Sequence, residues 1–305
     1  MNPPKLKQKN NVSFAVCPLC RDSADLCESH IIPHHVYHWL KRTSSTGILR
    51  LLGAVNRRVQ DGFTEKMLCR ECEERFSKWE KQFAENVFVP IHETDALTVS
   101  YEGWMAKFSV SIVWRVLMLS RKFGMDDYST HHLSMVDSTL GAWREFLIDD
   151  SAIPEFPNIR MLLLDPAIQT SHAGMPEDLN RYFMRAVEID VCKSPICIFV
   201  YAKICRLTLI GFVIMTDTHR RLGAPIRFDN GQLDRRLNQG VTEDVFGYIM
   251  ERVQHMSEIE STLSSKQKQN IDDTIDSDLQ RYLRSETHDA LVKDIALNTK
   301  NRPTV

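Results

Sequence analysis

The sequence lacks several features that would assign it to a class at once. No apolar run reaches the ~18 residues that a membrane-spanning helix needs, so we expect no membrane partner. Residues 1–11 are polar and carry lysines, without the apolar core of a secretory signal, which favours a cytoplasmic location. There is no internal repeat and no glycine-rich phosphate loop. The composition, 43% hydrophobic and 26% charged, is that of a globular protein.

The net charge of −2 conceals an uneven distribution along the chain. Residues 1–60 contain nine Lys/Arg and three Asp/Glu, a balance of +6, which leaves −8 for the rest. A basic segment suits contact with a nucleic-acid backbone, because each neutralised phosphate releases counterions. The candidates for such contacts are Lys41, Arg42, Arg50, Arg57 and Arg58. Lys5, Lys7 and Lys9 either join them or form a solvated tail.

Four of the eight cysteines form two Cys-x-x-Cys pairs, Cys17/Cys20 and Cys69/Cys72, about fifty residues apart. Four thiolates saturate a tetrahedral zinc ion, and each two-residue gap lets one tight turn present both sulfurs. In a reducing compartment, metal ligation is favoured over disulfides. The spacing therefore predicts a structural Zn²⁺ site.

A second ligand set is open on spacing alone, because Cys27-x-x-His30 also has the two-residue gap. A site made of Cys17, Cys20, Cys27 and His30 would leave the second cysteine pair without a role. The remaining cysteines lie among apolar, strand-like residues and are expected to be buried thiols: Cys192, Cys197 and Cys205.

Between the two pairs stands Ser29-His30-Ile31-Ile32-Pro33. This combination resembles the zinc-bound, four-cysteine branch of the HNH (ββα-metal) endonucleases, over residues ~14–90. The resemblance implies a ββα-metal, treble-clef-like unit with His30 as the general base and a catalytic Mg²⁺ or Mn²⁺. It also implies an endonuclease that hydrolyses phosphodiester bonds, with DNA favoured over RNA, and a role in bacterial antiviral defence against foreign DNA.

Two positions depart from the family pattern. The residue before the histidine is often a metal-binding aspartate and here is Ser29, so a carboxylate must come from elsewhere, with Glu28 and Asp61 as candidates. The residue after the last cysteine is commonly histidine or asparagine and here is Glu73, whose oxygens suit a hard cation. Glu73 could equally complement the N-terminus of its helix.

The asparagine that orients the base in the family has no counterpart at the expected position. The nearest is Asn56, which could reach His30 only if the loop that follows it folds back. His34, His35 and His38 add imidazoles, and His34 and His38 share a face at helical spacing. These histidines are either ligands for metal or phosphate or simply surface groups.

The pattern predicts an α+β protein, with helical and antiparallel-strand segments after the zinc unit. We expect a flexible arm over 1–13, the HNH-like domain over 14–90, a helical scaffold over 91–150 and an α+β region over 151–305. Helices are predicted at 34–43, 72–88 (ended by Pro90), 103–123, 133–148 and beyond 243, and residues 43–63 are predicted to be loop, with room for one short strand. Strands are predicted at 159–165, 196–204 and 206–215.

Two other functions remain open at this level. The zinc unit could be a catalytically degenerate module that binds nucleic acid or protein. Alternatively, the zinc could be purely structural, with an unrecognised function in the C-terminal region. If the protein is an endonuclease, the C-terminal region would bind a partner protein, a second copy in a homo-oligomer or an activating ligand.

Overall fold

The computed structural model describes residues 15–51, 54–59, 61–149, 158–170, 175–237 and 240–300. The predicted arm over 1–13 lies outside these ranges, as do residues 151–157 at the predicted domain boundary. For residues 51, 54–59 and 300 only the backbone is described.

Within the described residues the chain is a mixed α+β protein whose named strand pairs are all antiparallel. The strands are β1 Ala15–Val16, β2 Ser23–Ala24, β3 Leu26–His30, β4 Leu49–Leu51, β5 Ala54–Val59, β6 Thr64–Cys69, β7 Thr98–Tyr101, β8 Ile159–Leu163, β9 Val187–Lys193, β10 Ile198–Ile204, β11 Leu207–Ile214, β12 Ala224–Pro225 and β13 Gly231–Asp234. The helices are α1 His34–Arg42, α2 Arg70–Phe83, α3 Val89–Glu93, α4 Trp104–Phe123, α5 Thr130–Ile148, α6 Leu179–Arg185, α7 Glu243–Ser261, α8 Ser265–Ser277, α9 Leu279–Leu283 and α10 Glu286–Lys300.

The N-terminal part is built on the antiparallel pair β3–β6, which continues directly into α2. Leu26 pairs with Cys69 at one end and His30 pairs with Thr64 at the other. The first cysteine pair lies in the turn between β1 and β2, which pair with each other. This arrangement brings the start of α2 close to both the first cysteine pair and the strand that ends at His30.

The helical segment predicted over 72–88 is longer in the structure, where it runs from Arg70 to Glu93. The predicted end at Pro90 is therefore wrong. Helix α2 begins at Arg70 and is followed by a π-helical turn, Ala84–Phe88, and then by α3. Pro90 lies in the first turn of α3, directly after the π-helical turn, so the helical path continues through the proline at a place where the regular hydrogen-bond ladder is already interrupted. The apolar residues that recur at three- and four-residue spacing in this segment face inwards: Phe76, Phe83 and Val87 are buried and Trp79 is half-buried.

Helix α4 lies at the centre of the molecule, between the zinc-binding part and the large sheet. Its residues 105–117 are all buried, and they share one hydrophobic core with the cysteines and with the inner face of the sheet. Within the described residues this sheet has five strands in the order β12-β8-β11-β10-β9. Its opposite face packs on α6, α7 and α10, so the sheet is covered on both sides.

Successive side chains of β10 point to opposite faces of the sheet, and so the sheet separates two hydrophobic cores. Val200 and Ala202 face the core that contains α4, whereas Phe199 and Tyr201 face α7. All of β10 is buried, so its sequence carries no polar alternation. The strands predicted at 159–165, 196–204 and 206–215 and the helices at 34–43, 103–123 and 133–148 are confirmed within a few residues. Residues 43–63 are not only loop, because they contain the pair β4–β5.

No helix of the described residues combines the length and apolarity that a membrane crossing requires.

Candidate active site and zinc site

Cys17, Cys20, Cys69 and Cys72 come together, with their four sulfurs all within 4.8 Å of one another. The Cys20 and Cys69 sulfurs are 3.7 Å apart. Zinc–sulfur bonds of about 2.3 Å in a tetrahedron require sulfur separations of roughly 3.8 Å. The cluster therefore has the dimensions of a structural zinc site, and these four residues could hold the ion.

The backbone around the first pair is shaped for ligation. Arg21 adopts a positive φ of 75°, and its N–H donates to the Cys17 carbonyl, which turns both sulfurs of the pair inwards. Burial by itself would raise the pKa of Cys17, but N–H donors from Cys69, Cys20 and Leu19 outweigh it and lower this pKa. Burial raises the pKa of Cys72, so a bound cation would be the means of keeping its thiolate charged.

The alternative ligand set with Cys27 and His30 is not the one that the fold assembles, because these two residues lie outside the cysteine cluster. Of the three cysteines predicted to be buried thiols, Cys197 and Cys205 are buried and Cys192 is half-buried.

His30 lies at the end of β3 beside Asp61. The His30 Nε2 atom is 3.3 Å from Asp61 Oδ2, and the His34 Nε2 atom is 3.2 Å from the same oxygen. Burial would raise the pKa of Asp61, but the Gly62 N–H and the two imidazoles more than offset this and lower it. His30 Nε2 is buried and makes no hydrogen bond to any described residue. The site thus holds the Asp61 carboxylate against the Nε2 atoms of two imidazoles.

Gly62 sets the position of this carboxylate. A Cβ atom at Gly62 would come 1.9 Å from the Tyr37 ring, so only glycine lets the chain pass this ring closely. The Gly62 N–H also donates to Asp61 Oδ1 at 2.8 Å, which fixes the carboxylate. The requirement for glycine after Asp61 could not be recognised before the position of Tyr37 was known.

Ser29 and Glu73, the two positions at which the sequence departs from the family pattern, contact each other. The Ser29 hydroxyl donates to Glu73 Oε1, and the Leu68 N–H donates to the Ser29 hydroxyl at 3.2 Å. Ser29 is fully buried, and burial raises the pKa of Glu73 even though Ser29 and Arg115 oppose this. Glu73 is therefore directed towards the strand of His30 rather than left as an exposed N-terminal carboxylate.

Arg115 was missed by sequence reasoning. It lies in the middle of α4 and is 1% exposed. It donates to the His30 carbonyl at 2.6 Å and to Glu80 Oε1 at 2.7 Å. One guanidinium thus joins the end of β3 to α2. Its position three residues after the inward-facing Ile112 was the available signal, because a charged residue on a buried helix face requires partners.

The other predicted site residues lie elsewhere or outside the described side chains. Glu28 is exposed on β3, and no hydrogen bond or ion pair between described residues joins it to His30. Asn56 lies on β5, and its side chain is outside the described ones. His35 packs against the rings of Phe83 and Phe88, and burial lowers its pKa to about 4, so it belongs to the core. His38 is exposed on α1.

The predicted basic contact residues that the structure describes differ in their partners. Arg42 pairs with Glu93, which occupies part of its guanidinium. Arg50 donates to Gln267 at 3.0 Å, so it is held by the C-terminal helices. Lys41 ends α1 beside Arg42, and the side chains of Arg57 and Arg58 lie outside the described ones. Contact between these residues and nucleic acid stays a prediction.

A second group of metal-ligand types occurs among the described residues, formed by Cys197, His219 and Asp244. The Thr216 N–H donates to His219 Nδ1 at 3.1 Å, so the proton of the neutral ring is on Nε2. This Nε2–H donates to Asp244 Oδ2 at 2.7 Å, and the Cys197 thiol donates to the same oxygen at 3.3 Å. All three groups are satisfied by hydrogen bonds and the tautomer opposes ligation by Nε2, so the cluster is structural.

In comparisons with known proteins, no family model, no curated protein and no solved structure shows significant similarity to this chain.

Proposed function

We propose that this protein is a metal-dependent endonuclease of the HNH type, whose β3–β6–α2 segment is a ββα-metal unit stabilised by zinc. The observation that supports the proposal most directly is the surroundings of His30. Its Nε2 is buried and lies 3.3 Å from the Asp61 carboxylate. In a catalytic histidine the carboxylate partner holds one ring nitrogen and the other nitrogen takes the proton, so Asp61 at Nε2 leaves Nδ1 as the basic atom in this proposal.

In this proposal His30 removes a proton from the attacking water. Asp61 stabilises the imidazolium that forms, as the carboxylate partner of a catalytic histidine does. This is the role that the resemblance gives to an asparagine. We give this role to Asp61, because its carboxylate lies 3.3 Å from His30 Nε2. His34 contacts Asp61 from the other side and is the second imidazole at the site.

Glu73 is the proposed ligand for Mg²⁺ or Mn²⁺, with the Ser29 hydroxyl beside it. Carboxylate oxygens are the donors that these hard cations prefer. Glu73 is half-buried with a raised pKa, so a nearby cation would offset the cost of keeping it ionised. When bound, the divalent ion would stabilise charge on the phosphate and on the leaving oxygen.

Arg115 is a positioning residue in this scheme. It holds the backbone carbonyl of His30 and so fixes the end of β3 relative to α2, which carries Glu73. The four cysteines of the proposed zinc site are also positioning residues, because they fix the end of β6 at Cys69, where α2 begins. Neither group is proposed to touch substrate.

The test is cleavage of supercoiled plasmid in Mg²⁺ and in Mn²⁺, with a single-stranded RNA run in parallel and bound zinc quantified in every sample. We expect His30→Ala and Asp61→Asn to lose about a hundredfold or more in cleavage rate while keeping their zinc. Glu73→Gln should lose cleavage and need more divalent metal. His38→Ala is the matched control, since His38 is an exposed histidine of α1, and it should cleave normally.

Absence of cleavage by the parent protein on both substrates, with zinc retained, would refute the nuclease and leave a zinc-stabilised binding module. Loss of zinc in His30→Ala would show that His30 is a structural ligand. Normal cleavage by Glu73→Gln would remove Glu73 from the metal site.

A further inference from the structure

A cavity of about 520 Å³ adjoins the candidate active site. It lies between α1 with the turn that follows it, β9 and the C-terminal helices α7, α8 and α10. Its apolar wall includes Ile32, Leu40, Ile189, Met256 and Ile271. Its volume is in the range of sites that enclose small molecules, which are typically mostly apolar with a few polar groups.

Arg185, the last residue of α6, lines this cavity and is held by uncharged partners. Its guanidinium donates to the Thr43 hydroxyl at 3.1 Å and to the Leu40 carbonyl at 3.0 Å, and it lies 5.3 Å from the centre of the Trp39 ring. Among the described residues no carboxylate stands within ion-pair distance of it, and Glu286 acts only from farther away. Burial lowers the pKa of Arg185, as expected for a cation without an ionic partner.

Five other charged groups among the described residues line the cavity, and one of them, Arg50, is held by Gln267, to which it donates at 3.0 Å. Arg181 pairs with Glu260, and Glu188 pairs with Arg252. Asp61 lies against the two histidines of the candidate site. The charges of Arg181, Glu260 and Glu188 are therefore already opposed within the protein, and that of Asp61 is shared with the two histidines. The positive charge of Arg185 is left to be neutralised by a ligand of the cavity.

We propose that this cavity binds a small organic anion with an apolar body, whose charged group pairs with Arg185. The body of the ligand is received by the apolar side chains of α1, β9, α7 and α8. Asp61 and Phe63 also line the cavity, so the same ligand contacts the segment that places Asp61 beside His30. Its occupancy therefore changes the cleavage rate, a consequence that rests on the proposed nuclease function.

The binding test uses two fluorescent probes with similar aromatic bodies on the full chain. One is the anionic 1-anilinonaphthalene-8-sulfonate, and the other is the neutral N-phenyl-1-naphthylamine. We expect saturable binding of the anion at one site, weakened about tenfold or more by Arg185→Met. Arg185→Lys should keep most of the affinity for the anion. The affinity for the neutral probe should differ by less than twofold between the parent and Arg185→Met.

Two further variants separate charge from folding. Ile189→Trp fills the cavity and should abolish binding of both probes. Arg220→Met removes an arginine that is 67% exposed and pairs with Asp217, so it should leave binding unchanged. Thermal unfolding of each variant identifies those that fold. Unsaturable binding by the parent, equal loss in Arg185→Lys and Arg185→Met, or normal binding by folded Ile189→Trp would each overturn the proposal.

The link to catalysis is measured as plasmid cleavage with and without a saturating concentration of the anionic probe. A rate that changes in the parent and not in Arg185→Met would support the link. An unchanged rate in the parent would refute the link and leave the binding site standing. If the parent cleaves nothing, the nuclease proposal fails, while the fluorescence titration still decides whether the cavity binds an anion.

Discussion

Replacing Arg115 by methionine tests how the fold holds the candidate base. Methionine fills much of the same space but removes the donors to the His30 carbonyl and to Glu80. A hydrogen bond to a charged group contributes about 1.5–3 kcal/mol, and breaking a buried ion pair costs about 3–5 kcal/mol. The Glu80 side chain is 21% exposed and can recover some hydration, which lowers the cost. We therefore expect the free energy of unfolding to fall by about 3 kcal/mol.

The assay is urea unfolding at pH 7, monitored by circular dichroism. Arg121→Met is the matched control on the same helix, because Arg121 is 39% exposed and pairs with the exposed Asp137. Exposed pairs contribute about 0.2–1 kcal/mol, so this variant should lose no more than that. The double variant Arg115→Met with Glu80→Gln should lose less free energy of unfolding than the sum of the losses in the two single variants. The reason is that residue 80 is then neutral and no charge is left without its partner.

A second measurement concerns position rather than stability. Under conditions in which Arg115→Met is still folded, its cleavage rate should fall with little change in the amount of bound zinc. A loss of stability no larger than that of Arg121→Met, together with unchanged cleavage, would refute the idea that this guanidinium holds His30 in place.

The remaining predictions concern the metal, the pH dependence and the core. Cys69→Ser should lose its bound zinc and unfold more easily, whereas Cys205→Ser should keep its zinc. Burial lowers the folded-state pKa of His92 from 6.5 to about 3, so His92 gives stability that is present above pH 6.5 and is lost as the pH falls towards 3. His92→Gln should reduce that acid loss, which is about 2 kcal/mol between pH 6.5 and 5. Phe83→Ala should cost about 3–5 kcal/mol, and Phe123→Ala, at a site 61% exposed, much less.

Each of these predictions has an outcome that contradicts it. Zinc retained by Cys69→Ser would mean that the four-cysteine cluster is not the metal site. An unchanged pH dependence of unfolding in His92→Gln would show that this ring does not control the acid transition. Equal losses in Phe83→Ala and Phe123→Ala would contradict the close stacking of Phe83 on Phe108, whose ring centres are 3.9 Å apart.

The parts of the structure that could be predicted are those that depend on neighbours in the chain. The two-residue gaps identified the cysteine pairs, and the three- and four-residue apolar spacing identified α1, α2 and α4. The end of the helix at Pro90 was mispredicted, because a proline that breaks one helix can begin another. Strands β4 and β5 were largely missed in a segment rich in polar residues, where turn signals outweigh strand signals.

The sequence by itself determined which four cysteines come together in a cluster that could hold zinc, and it singled out His30, because ligand type and local spacing are properties of short segments. It left several carboxylates as possible partners for that histidine. Only the tertiary structure placed Asp61 beside His30, put Ser29 against Glu73 and brought Arg115 from a separate helix to the end of β3. These contacts join residues that are 31 to 85 positions apart in the chain. They depend on how the strand pair and helices α2 and α4 pack around one core, which no local pattern encodes.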